Sequence, residues 1–152
     1  MNKNDENKMI IPFSPPDVGE DEIAEVANTL RSGWITTGPK TKLLEKKVAE
    51  WIGTDHTDSG TPRCVCLNSQ TACAEMAMHI MGIGEISGGS VEDEVIVPAY
   101  TYTASAAVAC HVGAKLVLVD IQKDSFQMDY GAVEKLINEH TKAIIPVDLG
   151  GV

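Results

Sequence analysis

At 152 residues and 43% hydrophobic content, the chain can bury the core of one ordinary domain. A formal net charge of -10 argues against nucleic acid or an anionic membrane as the main partner, so any phosphate must be held by local geometry. No apolar run approaches the roughly 20 residues that cross a bilayer, and Met1–Lys8 is polar without the apolar core of a signal peptide. Residues 1–10 read as a polar tail, and the expected location is cytoplasmic.

Gly19 to Ser32 predicts a first helix, with Ile23, Val26, Ala27 and Leu30 at i, i+3, i+4 and i+7 and acids in the first turn, where the helix dipole favours them. Gly33 ends it. A loop, Trp34 to Pro39, leads to a second helix from about Thr41 to Ile52, expected to bury Leu44, Val48 and Trp51. Thr54 to Arg63 reads as a polar surface excursion. Cys64 to Leu67 is expected to be a first buried strand, followed by a helix with Cys73, Met76, Ala77 and Ile80 on its apolar stripe.

After a glycine-rich loop, Gly82 to Ser90, come a strand from Glu94 to Pro98 and a helix of small residues from Ala104 to Val112. Lys115 to Asp120 is the third strand. Asp129 caps a helix carrying Val133, Leu136 and Ile137, and Lys142 to Val147 is the fourth strand, with Pro146 awkward there because proline removes a ladder donor. Strands alternating with helices predict an α/β fold of βα units with a mainly parallel sheet and right-handed crossovers.

Two strand-to-helix turns carry the chemistry. The run Val95-Ile96-Val97-Pro98-Ala99-Tyr100-Thr101-Tyr102-Thr103 delivers flat rings and hydroxyls to the carboxyl edge of the sheet, where ligands of open α/β sheets bind. The turn Leu67-Asn68-Ser69-Gln70-Thr71-Ala72 offers hydroxyls and backbone N–H groups at a helix start. Together they suggest a planar, phosphorylated cofactor. Read on the residues alone, Ser69 or Thr71 is a plain helix cap.

Other groupings point to less. The four cysteines, Cys64, Cys66, Cys73 and Cys110, lack a metal-like spacing and are expected to be buried reduced thiols. His56, His79, His111 and His140 form no metal spacing, and Cys110 and His111 point apart on a helix. Gly82-Ile83-Gly84 follows a helix, not a strand, which excludes a dinucleotide fingerprint. The acids Glu92-Asp93-Glu94 read as a solvated loop, and Asp120 as a tie for the turn after its strand.

The ordered set of motifs resembles the DegT/DnrJ/StrS-type nucleotide-sugar aminotransferases. It runs from the opening segment Pro12-Phe13-Ser14-Pro15-Pro16 through Ser32-Gly33-Trp34-Ile35-Thr36-Thr37-Gly38-Pro39 and Asp93 to Thr103. Gly113-Ala114-Lys115, Val119-Asp120 and Thr141 to Val147 complete it. The resemblance implies that residues 11–152 are a partial, N-terminal part of the large domain of a type I pyridoxal-phosphate-dependent transferase. It implies phosphate binding by Ser69, Gln70, Thr71 and Ala72, chiefly through the Thr71 and Ala72 N–H groups, although Gln70 stands where the family usually has glycine. Tyr102 would stack on the cofactor ring and Tyr100 pack in the core. Trp34, Thr36 and Thr37 would lie near the substrate mouth, although Trp34 can also pack under its own loop. Asp148 stands where the family often has histidine.

The resemblance further implies pyridoxal 5'-phosphate as cofactor, a nucleotide-sugar substrate, an amino-acid donor and a homodimer at full length. It assigns no catalytic residue to this stretch, because the aldimine-forming lysine of the family falls beyond Val152, and no metal. It also places strands from elsewhere beside the first strand, leaving Cys64 to Leu67 without neighbours. Competing readings are the dehydratase branch of the same family, in which histidine replaces that lysine, an inactive fragment serving as an assembly module, and an unrelated doubly wound nucleotide-binding domain.

Overall fold

The computed structural model describes residues 12, 15–53 and 63–151, which form two units divided after Cys66. The polar tail, part of the opening segment, residues 54–62 of the surface excursion and His56 lie outside the described residues.

In the first unit, helix α1 spans Glu20–Arg31 and α2 spans Pro39–Ile52. The Gly19 N–H donates to Glu22 Oε2 at 2.7 Å, which satisfies an orphan donor of the first turn and holds the Glu22 carboxyl below its usual range. Pro39 sits in the first turn of α2, where its missing N–H costs nothing. The apolar stripe of α1 is present but lies on the surface: Ile23, Val26 and Leu30 are exposed. In α2 the buried side chain is Ala49, Val48 is half-buried, and Leu44 and Trp51 are exposed, contrary to the expected face. Periodicity shows that a helix has an apolar face, not that anything covers it.

Cys64 to Leu67 is not a strand. Val65 is 70% exposed, and the Cys66 N–H donates to Glu45 Oε1 at 2.9 Å. A strand exists only through its neighbours, and among the described residues none pairs with this segment.

The second unit is a three-layer α/β sandwich. Its elements are α3 (Gln70–Met81), β1 (Glu94–Pro98), α4 (Thr103–His111), β2 (Lys115–Val119), α5 (Tyr130–Leu136) and β3 (Thr141–Ile144). The sheet order is β2-β1-β3, with both neighbours parallel to the central β1. The short apolar run of β1 is buried at every position, as a central parallel strand requires. Alternation splits it between two cores. Val95 and Val97 pack with Met78, Ile83, Val108, Ala109 and Val112 on the α3 and α4 side. Ile96 packs with Val119, Met128 and Val133 on the α5 side.

The stripe Cys73, Met76, Ala77 and Ile80 of α3 is exposed, and the core is served by Met78 with Ala74. The helix is apolar on two faces, so the sequence pattern fits either. Strand β3 ends before Pro146, and its continuation is a single bond from the Ile145 N–H to Ile96 O at 2.9 Å. In α5, Asp129 Oδ1 accepts from the Ala132 N–H at 3.1 Å as expected of a cap, Val133 is buried and Ile137 is exposed. None of the four cysteines is in a disulfide, but Cys73 and Cys110 are exposed and Cys64 and Cys66 half-buried.

The acids Asp93 and Glu94 are buried, not solvated. Asp93 Oδ2 accepts from the N–H groups of Ser90 and Gly84, at 2.9 and 3.0 Å, and these donors hold its carboxyl below the usual range. Glu94 accepts from Lys115 Nζ at 2.9 Å and Asn138 Nδ2 at 2.8 Å, which lowers its carboxyl and raises the lysine. The two carboxylates tie the glycine-rich loop and the feet of β1, β2 and β3 together. Gly84 has φ +82°, and a Cβ there would stand 2.3 Å from Val112 O, so this glycine serves close backbone approach and not a ligand.

Candidate functional site

The chain bends at Ala99, Tyr100 and Thr101, immediately past β1, and Tyr102 caps the start of α4 with φ -64° and ψ 141°. Each residue of this bend is held. The Ala99 N–H donates to Val119 O at 2.8 Å, and Thr101 Oγ1 donates to Ser105 Oγ at 3.0 Å. Tyr100 stacks on Phe126, with ring centroids 5.2 Å apart and planes 20° apart. The Tyr102 ring is 82% exposed and has no partner among the described residues. The turn in the chain therefore separates the two tyrosines. Tyr100 is no core residue, however: it is 52% exposed, against its expected burial.

At the start of α3, Ser69 is an extended N-cap whose Oγ accepts from the Ala72 N–H at 3.1 Å. The Cys73 N–H donates to Ser69 O. Among the described residues the N–H groups of Gln70 and Thr71 have no acceptor, as first-turn donors of a helix lack one by geometry. Of the two donors singled out in the sequence, Thr71 is thus available and Ala72 is engaged by Ser69. Gln70 forms the first helical turn without distortion, its side chain exposed. These unpaired donors and the hydroxyl of Ser69 suit a phosphate, and the bare Tyr102 ring suits a flat heteroaromatic group.

In the first unit, a cleft of about 430 Å³ is lined by Thr29, Ser32, Trp34, Thr36, Lys40 and Thr41 among others. Trp34 Nε1–H donates to Thr37 O at 3.0 Å, and the indole lies against Gly38, where a Cβ would come within 2.1 Å of Nε1. Trp34 does pack its own loop, yet 57% of it stays exposed and forms a wall of the cleft. Thr36 lines the cleft, whereas Thr37 contributes its carbonyl to the indole. Lys40 is held by Glu25 at 2.8 Å.

Asp120 ties its turn, accepting from the Ile121 N–H at 2.8 Å. Asp148 is exposed and its carbonyl accepts from the Gly151 N–H. His79 meets Ser87 Oγ at 2.8 Å, and His111 meets Glu75 Oε2 at 3.1 Å, so both serve the packing around α3. Among the described residues no group of His, Cys, Asp or Glu could hold a metal ion, and no helix is long and apolar enough to cross a membrane.

Residues 16–152 match the DegT/DnrJ/EryC1/StrS aminotransferase family. The chain belongs to that family. Among its curated relatives, the UDP-4-amino-4-deoxy-L-arabinose–oxoglutarate aminotransferase of Shewanella sediminis is 38% identical over 93% of this chain. The spore coat polysaccharide biosynthesis protein SpsC of Bacillus subtilis is 36% identical over the same share. The chain spans about a third of the length of each, 33%. Among solved structures, Spr1654 of Streptococcus pneumoniae, assigned as a sugar aminotransferase, is 54% identical in its PMP form, with a TM-score of 0.78 over 93% of this chain and 32% of that one. The same protein has been solved in a PLP form. In this member of the DegT/DnrJ/EryC1/StrS family, Phe126 and Ser105 hold the bend before Tyr102, and the sequence did not reveal either. An aromatic in the loop after a strand is a weak signal until its ring is seen against another.

Proposed function

We propose that this chain is the N-terminal part of a pyridoxal-phosphate-dependent aminotransferase that moves an amino group from an amino acid to a keto-sugar nucleotide. The observation that carries this reading is the pairing, in one unit of a DegT/DnrJ/EryC1/StrS family chain, of unpaired donors at Gln70 and Thr71 with the bare ring of Tyr102. Residues 11–152 are read as part of the large domain, with residues 1–10 as a tail.

The α3 start binds the phosphate: the N–H groups of Gln70 and Thr71 donate directly, and the helix end adds roughly half a positive charge. In a chain of net charge -10 this local field does what the overall charge cannot. Ser69 Oγ accepts from Ala72, and its own proton, directed at Asn68 Oδ1 over a long 3.5 Å, turns to a phosphate oxygen instead. Tyr102 supports one face of the pyridine ring and excludes water from it. When bound, pyridoxal phosphate supplies an electron sink for bonds at the amino-bearing carbon. Thr36 and the outer face of Trp34 contact the sugar substrate, with Thr37 fixing the indole.

Among the described residues, Lys40 pairs with Glu25, Lys46 with Glu50 and Lys115 with Glu94, and Lys142 donates to Glu139 O. We assign the lysine that holds the cofactor covalently to sequence beyond Val152. A homodimer in the cytoplasm completes the reading.

The test is amino transfer by the full-length protein, supplied with pyridoxal phosphate and glutamate, to a panel of nucleotide-linked keto sugars. Conversion of a ketone to an amine, detected by mass spectrometry and lost in Tyr102→Ala, is the expected result. Cofactor binding without any amination, or dehydration of the sugar instead, would reject aminotransfer.

A further inference from the structure

The bend that presents Tyr102 is braced from the loop that follows the neighbouring strand β2. Residues 121–128 form a closed hairpin after β2. Ile121 bridges Met128, the Gln122 N–H donates to Gln127 O at 2.9 Å, and Gln122 Nε2 donates to Met128 O at 3.3 Å. Ser125 Oγ accepts from the Gln127 N–H at 3.0 Å, which tightens the tip beside Phe126. Met128 anchors the base, buried in the core with Ile96 and Val119. The hairpin is thus fixed to the sheet, and its tip carries Phe126 onto Tyr100.

We propose that Phe126 is a positioning residue: by stacking on Tyr100 it sets the course of the bend and so the direction in which Tyr102 offers its ring. The path is short. Tyr100 is stacked from one side, Thr101 is bonded to Ser105, and Tyr102 follows directly as the cap of α4. Ala99 is pinned to β2 through Val119 O and Thr101 to Ser105, so the Phe126 stack is the contact that fixes the Tyr100 ring between those two bonds. Half-exposed rings contribute little to the core, which leaves orientation as the main consequence of the stack. This inference rests on the reading of Tyr102 as the support for the cofactor ring.

The experiment is calorimetric titration of the full-length protein with two probes, pyridoxamine 5'-phosphate and inorganic phosphate. Phe126→Ala should raise the Kd for pyridoxamine phosphate about tenfold, the upper range for losing one aromatic pair. Its Kd for inorganic phosphate should stay within about twofold, because the α3 start is untouched. Phe126→Leu, which keeps volume without a flat ring, should behave like the alanine variant and covers the case in which that variant folds poorly. Phe126→Tyr should restore wild-type binding. Equal weakening for both probes means a merely structural role and overturns the proposal. So does unchanged pyridoxamine phosphate affinity in the Phe126 variants while Tyr102→Ala binds weakly. If Tyr102→Ala itself binds normally, the ring assignment fails, and this inference fails with it.

Discussion

Replacing Gly38 with alanine places a methyl group 2.1 Å from Trp34 Nε1 and 2.3 Å from Cδ1 of the same ring, so the indole must leave its seat. The backbone itself permits the change, since Gly38 has φ -161° and needs no glycine. A fully buried tryptophan removes about 150–250 Å² from water. With Trp34 57% exposed, roughly 60–100 Å² is at stake, worth about 1.5–2.5 kcal/mol. The Nε1–H to Thr37 bond adds about 1 kcal/mol. Reduced freedom of the unfolded chain returns about 0.4–1 kcal/mol. The net expectation is a loss of about 1.5–3 kcal/mol, or about 1 M in a urea midpoint for a slope of about 2 kcal/mol per molar. The assay is urea unfolding in a Trp51→Phe background, which costs little because Trp51 is 78% exposed and leaves Trp34 as the only indole. Trp34 emission should shift to the red in Gly38→Ala. In a Trp34→Ala background, followed by circular dichroism, the same Gly38 change should cost nothing. An equal cost with and without the indole would refute the claim that Gly38 exists to seat Trp34.

Asp93 and Glu94 have carboxyls held below their ordinary 3.8 and 4.5, and a depressed folded-state pKa contributes stability above the unfolded value that is lost as pH falls through the folded one. Stability should therefore hold down to about pH 5 and decline below it, and Asp93→Asn should lower stability at neutral pH and flatten that decline in urea titrations; a variant with an unaltered acid limb contradicts the Gly84 and Ser90 assignment. Because Tyr100 is half-exposed, Tyr100→Ala should cost about 2 kcal/mol, less than the roughly 3–5 of a buried aromatic, and thermal unfolding decides between the two. Tyr102→Ala should leave stability within about 0.5 kcal/mol of wild type, as for other partnerless surface rings, and weaken pyridoxamine phosphate binding in the same samples.

How far the sequence could be read depended on whether the cause was local. The bounds of β1 match because a short apolar run closed by Pro98 allows little else, and Asp129 and Ser69 fall at helix starts because caps are chosen by neighbours three residues away. Burial of helix faces was not legible. The apolar stripes of α1 and α3 are real but exposed, because burial depends on what packs against a face and periodicity is silent on that. Cys64 to Leu67 failed for the same reason, since pairing belongs to two strands at once. Asp93 and Glu94 were misread as solvated because their partners, Ser90, Gly84, Lys115 and Asn138, converge only in the fold. At the candidate site, the start of α3 and the turn from β1 to α4 that carries Tyr102 were visible, although among the described residues no strand precedes α3. Engagement of the Ala72 N–H by Ser69, and the Phe126 brace, were not, because both are matters of geometry.

Thr71→Pro bears most directly on the cofactor assignment. The Thr71 N–H has no acceptor among the described residues and the first turn of a helix tolerates proline, so the change removes a ligand donor at little cost to the fold. Titrated with pyridoxamine 5'-phosphate, the full-length variant should bind about 10–100-fold more weakly than wild type, the range for one hydrogen bond to a charged group, with its melting temperature nearly unchanged. Wild-type affinity in a folded Thr71→Pro protein would contradict phosphate binding at the start of α3.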